Sequence, residues 1–571
     1  MTSVSRIPSF LDTRPSILHD SRMHVTRAVG LAAGYWIAVT IASAQLTPPA
    51  AADSKPLTAV VEGKVVNQVT GAPLKKAVLT LSPTGGSLES NERGSPVSTE
   101  TADDGSFRLP NVKPGPYWFM AERAGYAQQY FNGRRSDNRG SVIRAHAGEE
   151  ITGLVFKLIP NAIISGKVLD PDGDPMRANV IVYRYAYRTS GKTIQALSSG
   201  STGAMGEYSI SVPPGKYLLA ATIPQNALPT PSAAPTSGTA SSEAPVLTYA
   251  PMFYPNSFEQ TTTMEIPASA GADLRAMDFH MTKVKAYRVS GKVSTPNAML
   301  QLVPKAGPSP STPPQFGRVT EKGSFELPAV FPGTYYLTMN APRGAAMIAN
   351  QLIVVTDRHL DDLAVQFSPM PQLKGTVTFD GDSKLSTEGM QVGFDSFDNG
   401  TNPLSPVDKD GNFTINGILP GRYHPWAGLG AGGRYVKSIR YDGRDIKDTG
   451  LDITEGISGT VDVVMSPNAA HVSGVVLDDD GKPCAGVSVV LVPDSGAYLA
   501  HNSLTTDAQG HFDISYVRPG NYKLYALEDI LYLAWFDKEY MKPYSSKAIP
   551  ISVAENDKKT LSLKLIPVAK E

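Results

Sequence analysis

Zinc chemistry has one opening in this chain: His146-Ala147-Gly148-Glu149 is a His-x-x-Glu pair, and His280 lies downstream. A catalytic zinc needs three protein ligands that converge. The pair falls in the turn before the last strand of one sequence repeat, and Ala268-Ser269-Ala270-Gly271 fills the same turn of the next repeat. Turns of separate repeats have no reason to meet on one ion, so no metal site is expected. Asp170-Pro171-Asp172-Gly173-Asp174 opens like a calcium loop, but the twelfth place, which must hold a bidentate acid, is Ile181. A solvated hairpin turn is the expectation there and at Asp478-Asp479-Asp480-Gly481. The single cysteine, Cys484, excludes an intramolecular disulfide and a thiolate zinc cluster. No histidine lies near it in sequence, so a buried or half-buried thiol is expected. No serine elbow accompanies a triad, and no phosphate loop or dinucleotide fingerprint occurs. Catalytic residues, metal ligands and cofactors are therefore expected to be none.

Aromatic side chains offer a different chemistry. Each of several repeats carries a cluster after its tyrosine strand: Tyr126, Tyr130 and Phe131; Tyr249, Phe253 and Tyr254; Tyr532, Trp535, Phe536 and Tyr540. Trp426 and Tyr435 flank a glycine-rich stretch at 428–433. Flat rings on loops at the end of a sandwich can stack on sugar faces. The same rings can instead cap a core or pack between neighbouring repeats. The candidate ligand contacts are Tyr130, Phe131, Phe253, Tyr254, Trp426, Trp535, Phe536 and Tyr540, with packing as the leading account of them.

The elements that must position these rings follow from composition and repetition. The 571 residues hold 51 glycines and 46 prolines, and charged residues make only 18%, against a usual share of about 25%. That mixture excludes coiled coils, helical bundles and charge-driven disorder. Lys+Arg at 52 and Asp+Glu at 53 leave a net charge of −1, so no global field recruits nucleic acid or an anionic membrane. Internal repetition decides the fold. Gly105/Phe107 precede Pro114-Gly115-Pro116-Tyr117, and Gly206/Tyr208 precede Pro214-Gly215-Lys216-Tyr217. Gly323/Phe325, Gly411/Phe413 and Gly510/Phe512 lead in the same way to Tyr335, Tyr423 and Tyr522. Upstream of each pair lies Gly-x-Val: Gly63/Val65, Gly166/Val168, Gly291/Val293, Gly375/Val377 and Gly474/Val476.

Each copy reads as short strands between turns. In the fifth, Asp480-Gly481 supplies a tight turn before a β-branched strand over 487–492. A further turn at Thr506-Asp507 leads to an alternating strand that places Phe512, Ile514 and Tyr516 on one face. Pro519-Gly520 breaks the ladder, and Tyr522, Leu524 and Ala526 face one way beyond it. Such spacing indicates antiparallel β-sandwiches. In Pro-Gly-x-Tyr the proline and glycine turn the chain between sheets, and the tyrosine buries its ring with its hydroxyl on a nearby backbone group, as at a tyrosine corner. A structural role is thus expected for the five tyrosines rather than ligand contact.

With Asp-x-x-Gly-x-Pro and Thr-Asp-x-x-Gly-x-Phe added, the pattern resembles the carboxypeptidase regulatory-like domain, related to transthyretin-like sandwiches and to the B-type repeats of surface adhesins. The resemblance covers nearly all of the chain after its leader, in five copies. The third lacks the Asp-Gly turn, and the fourth has a divergent second strand. It implies a seven-stranded Greek-key (prealbumin-like) sandwich in each copy; it does not imply peptidase activity, because the regulatory module lacks the catalytic domain. Adhesin relatives join a first-strand lysine to a last-strand asparagine. Lys64, Lys167 and Lys292 occupy the lysine place, but the closing strands hold no asparagine, so this cross-link is not expected.

The expected fold class is all-β: five tandem antiparallel sandwiches after a signal peptide. The expected boundaries are 1–44 for a leader and signal peptide, 45–56 for a linker, then 57–160, 161–285, 286–369, 370–467 and 468–571. The second copy carries a low-complexity insert at 224–245. A basic stretch, an apolar run over 28–41 and Ala42-Ser43-Ala44 make an export signal, with Met23 the expected true start. The short, proline-marked joints favour an elongated, semi-rigid rod. An exported non-catalytic protein follows, periplasmic, outer-surface or secreted, which spaces or binds at the cell envelope. The alternative is a carbohydrate-binding protein. The expected partners are a polysaccharide or an envelope protein, with no nucleic acid and no transmembrane segment in the mature chain.

Overall fold

A glycine at the centre of the first strand lets three elements of each copy close on one another. In copy five this strand is Ala470–Leu477, antiparallel to His511–Val517 on one side and parallel to the closing strand Lys558–Lys564 on the other. A Cβ on Gly474 would fall on the carbonyl of Leu561 and the ring of Phe512. Gly63, Gly166, Gly291 and Gly375 meet closing-strand carbonyls in the same way, those of Leu154, Met277, Leu363 and Val461. Only a residue without a side chain fits between those neighbours.

The structure is a computed structural model, and it describes residues 58–84, 95–133, 140–188, 191–223, 244–258, 263–305, 314–340, 347–381, 385–397, 402–428, 434–494 and 503–568. The leader, the linker at 45–56 and most of the insert at 224–245 lie outside the described residues. Residues 56–571 form one compact unit. Among the described residues no helix is long and apolar enough to cross a membrane.

The chain is nearly all-β, built of paired sheets. In copy five the second sheet runs Ser503–Thr505, Ser488–Pro493, Gly520–Leu527 and Ile549–Val553 in spatial order. With the first sheet it makes seven strands, and Val472, Val476, Val489, Leu491, Phe512, Ile514, Tyr522 and Leu524 fill the space between. Copy one repeats the arrangement, with Ala59–Asn67 between Ser106–Val112 and Glu150–Leu158 facing Val78–Pro83 and Gly115–Glu122. Five large cores are each drawn from one repeat. Pro-Gly marks the change of sheet every time: the strand before it belongs to the first sheet, and the strand that starts at or just after the glycine belongs to the second.

Four features depart from the sequence pattern. The first and closing strands of every copy pair in parallel, although the other strand pairs among the described residues are antiparallel, apart from a single parallel bridge between Leu527 and Ile566. A parallel partner needs a long crossover, and here the whole second sheet supplies it. Phe512 and Ile514 point inward, but Tyr516 is 52% exposed. The register between Ala470 and Val472 shifts by a bulge, Tyr516 takes φ 63°, and Val517 turns in instead. In copy four, Tyr435–Tyr441 joins the first sheet beside Val461–Ser466, making it five-stranded. Val246–Tyr249, read as part of copy two, pairs with the start of Lys283–Val293, the first strand of copy three.

The copies also touch out of chain order. Ser141 Oγ of copy one donates to the carbonyl oxygen of Thr506 in copy five at 2.8 Å. Tyr187, at the end of Asn179–Arg188 in copy two, packs edge-on against Tyr540 of copy five at 5.4 Å between ring centroids. These contacts between copies distant in sequence depart from the elongated, semi-rigid rod that the short joints favour. The sequence contains the joints but not the lateral surfaces.

Candidate functional site

The residues whose types invited chemistry are each tied into turns or cores. In every copy the corner tyrosine donates its hydroxyl to the carbonyl four residues back. The pairs are Tyr117 to Lys113 (2.9 Å), Tyr217 to Pro213 (2.5 Å), Tyr335 to Phe331 (2.8 Å), Tyr423 to Leu419 (2.7 Å) and Tyr522 to Arg518 (2.6 Å). All five rings are buried. Burial raises the pKa of Tyr117 and Tyr522 and pushes that of Tyr335 up to about 12, so these hydroxyls remain protonated donors.

The turn glycines ahead of the first aromatic, Gly105, Gly206, Gly323, Gly411 and Gly510, take φ between +71° and +85°. Their carbonyls accept from Val65, Val168, Val293, Val377 and Val476 at 2.7–2.9 Å. The Gly-x-Val and Gly-x-aromatic signatures are thus two sides of one hydrogen-bonded contact. Thr506 works the same way within its copy: Val487 N donates to its hydroxyl, which donates to the Cys484 carbonyl at 2.7 Å. Thr101 and Thr202 repeat that geometry.

The acidic candidates cap turns. Asp170 Oδ1 accepts from the backbone of Asp172 and Asp174, and Asp478 Oδ1 from that of Asp480 and Lys482, all at 2.8–2.9 Å. Glu149 accepts from the His146 backbone and faces its ring at 2.9 Å on the surface; the backbone bond holds the Glu149 carboxyl below its usual range. His280 lies on a different edge strand, Phe279–His280. Among the described residues no three His, Cys, Asp or Glu side chains gather as a metal set. Cys484 is half-buried.

The eight candidate rings do not form one surface. Phe253 is fully buried and Trp535 is 6% exposed, so neither face is open to a ligand. Phe131 packs edge-on against the buried Phe156, and Tyr254 against the buried Phe279. Phe536 leans on Trp535, and Tyr540 lies between Tyr187 and Tyr544. Trp426 donates its indole N–H to Asp395 at 3.2 Å, and Tyr130 sits edge-on to Trp118. Trp535 belongs to a satellite core of copy five with Val490, Tyr525, Leu527, Ile530, Met541, Tyr544 and Ile566; Tyr187 of copy two packs against it.

What the structure brings together is a cleft of about 1300 Å³, bordered by copy one and copy five. Trp118 stands on the copy-one side and Tyr532 on the other. Tyr532 is 61% exposed and Trp118 is half-buried. Sequence reasoning left Trp118 out, although it follows the corner tyrosine directly: with Tyr117, Phe119 and Ala121 inward, strand parity turns Trp118 out.

No curated protein matches the chain. Solved structures similar to it include the TIE protein of Bacillus anthracis, at 11% identity and a TM-score of 0.15, covering 72% of this chain and 74% of that one. The minor pilin GBS52 of Streptococcus agalactiae matches at 12% identity and a TM-score of 0.20, over 40% of this chain and 97% of its own. BcpA, the major pilin subunit of Bacillus cereus, matches at 11% identity and a TM-score of 0.14, over 71% and 99%. Similarity at that level carries no argument about function. The family comparison is specific: residues 60–153 and 471–564 each match the carboxypeptidase regulatory-like domain. Those two spans are copies one and five, so two stretches of this nearly all-β chain, about a third of its length, are similar to the carboxypeptidase regulatory-like domain.

Proposed function

We propose that this is a non-catalytic exported protein, an array of five β-sandwich modules that spaces or binds at the cell envelope. The modules are 57–160, 161–285, 286–369, 370–467 and 468–571, after a signal peptide within 1–44. The observation that carries the reading is the recurrent tyrosine corner: in each of five copies the signature hydroxyl is bonded to its own backbone, where it holds a turn and faces no substrate. Five separate cores support the division into modules.

The test is to express the full chain with a C-terminal tag, fractionate the cells and determine the N-terminus of the product. Export with cleavage after Ala44 supports the reading, and an uncleaved protein in the cytoplasm overturns it. A second reading, carbohydrate binding, is favoured by one observation: the exposed Tyr532 and the half-buried Trp118 both line the cleft between copies one and five.

A further inference from the structure

We propose that the cleft between copies one and five binds a neutral oligosaccharide. The inference deepens the carbohydrate-binding reading and rests on it. At about 1300 Å³ the cleft exceeds the roughly 300–1,000 Å³ of an ordinary small-molecule pocket, which suits an extended ligand of several units.

Two of the rings that line it are braced by packed neighbours. Tyr532 is 61% exposed, yet its ring stands at 89° to Trp535 with centroids 5.5 Å apart, and Trp535 is anchored in the satellite core. Trp118 is braced edge-on by Tyr130 at 6.5 Å. A ring braced by a packed neighbour loses little freedom when something stacks on it.

The first and closing strands, Ala470–Leu477 and Lys558–Lys564, contribute the hydroxyls of Ser473, Thr560 and Ser562 to the lining. Asp513, opposite them, is held by His471 Nε2 at 3.1 Å and by Ser515 Oγ at 3.2 Å. A carboxylate fixed from two sides can accept hydrogen bonds from neighbouring sugar hydroxyls.

Charge selects within the class. Among the described residues that line the cleft, Arg144 is the one Lys or Arg, against the two carboxylates of Asp507 and Asp513, so a polyanion would meet net repulsion. An extended peptide would need a sheet edge to pair with. Of the edge strands beside the cleft, Ser503–Thr505 offers a very short ladder, while His511–Val517 and Lys558–Lys564 are seven residues long, so a peptide is the competing ligand that the peptide arm of the test decides. Rings, hydroxyls and a small excess of negative charge together fit a neutral, hydroxyl-rich chain.

The experiment uses the full chain on an array of neutral and acidic glycans and unstructured peptides, followed by calorimetry with the tightest neutral glycan. Tyr532→Ala and Trp118→Ala should each weaken that binding about tenfold or more, and Tyr532→Phe should retain it. Melting curves of both alanine variants should show every copy folded, and Phe316→Ala, on an exposed ring of copy three, should bind as the parent does. Neutral-glycan binding that survives both alanine changes would overturn the cleft while leaving the carbohydrate reading intact. Binding only to acidic glycans or to peptides would overturn the ligand class, and binding to nothing would overturn both.

Discussion

The hydroxyl of Tyr522 donates to the carbonyl oxygen of Arg518 at 2.6 Å, four residues back across Pro519-Gly520. This bond pins the turn that carries the chain from one sheet to the other, and its equivalent stands in each of the other four copies.

Removing that hydroxyl leaves the Arg518 carbonyl without its partner. Tyr522→Phe should destabilise copy five by about 1–3 kcal/mol, the cost of an unsatisfied buried group. Urea unfolding followed by Trp535 fluorescence reads this copy directly when Trp36, Trp118 and Trp426 are replaced by Phe. An unchanged midpoint would mean that the corner bond contributes nothing.

Two glycines of the same copy separate close packing from turn strain. Gly474→Ala places a methyl group on the Leu561 carbonyl and the Phe512 ring, and should cost about 3 kcal/mol or more. Gly481 has φ +76° and open space around it, so Gly481→Ala should cost only about 1 kcal/mol. Chemical denaturation of the two variants side by side should give that order, and equal costs would contradict the close approach.

Alkali tests the buried corners. The pKa of Tyr335 is pushed up to about 12 by burial, above its ordinary value of 10.0. A folded pKa above the unfolded one contributes stability that is complete below pH 10 and lost as pH rises toward 12. Tyrosinate absorbance from the corners should therefore appear only as the sheet signal in circular dichroism disappears. Tyr335→Phe should remove one such group. Corner titration near pH 10 with the sheets intact would contradict their burial.

The arrangement of copies has its own test. Tyr187 of copy two packs against Tyr540 of copy five. Tyr187→Ala should lower the stability of copy five by about 1 kcal/mol, read by Trp535 in the single-tryptophan background. Copies that behave as independent beads would show no change.

Much of the fold was legible because each signature residue has a local cause. Proline and glycine announce the change of sheet, and Gly-x-Val announces a close approach. Strand alternation located Tyr522, Leu524 and Ala526, all buried. It failed at Tyr516, where one bulge reverses the parity and leaves no mark in the sequence. It could not show that Val246–Tyr249 pairs with a strand of copy three, since pairing partners across a long insert are not encoded in periodicity. The candidate site was less legible. Loop position and ring type do not separate the buried Phe253 and Trp535 from the exposed Tyr532, because burial depends on how each segment folds back: Phe253 pairs with Ala220 and Trp535 enters a satellite core, whereas Tyr532 lies on the surface beside it.

The central claim is that each copy closes its own two-sheet core. Residues 468–571, produced alone, test it most directly by amide hydrogen exchange and thermal unfolding. The account predicts a single cooperative transition, with strong protection at Val476, Leu491 and Leu524 on the strands around that core. A fragment that exchanges at the unfolded rate and melts without cooperativity would contradict it.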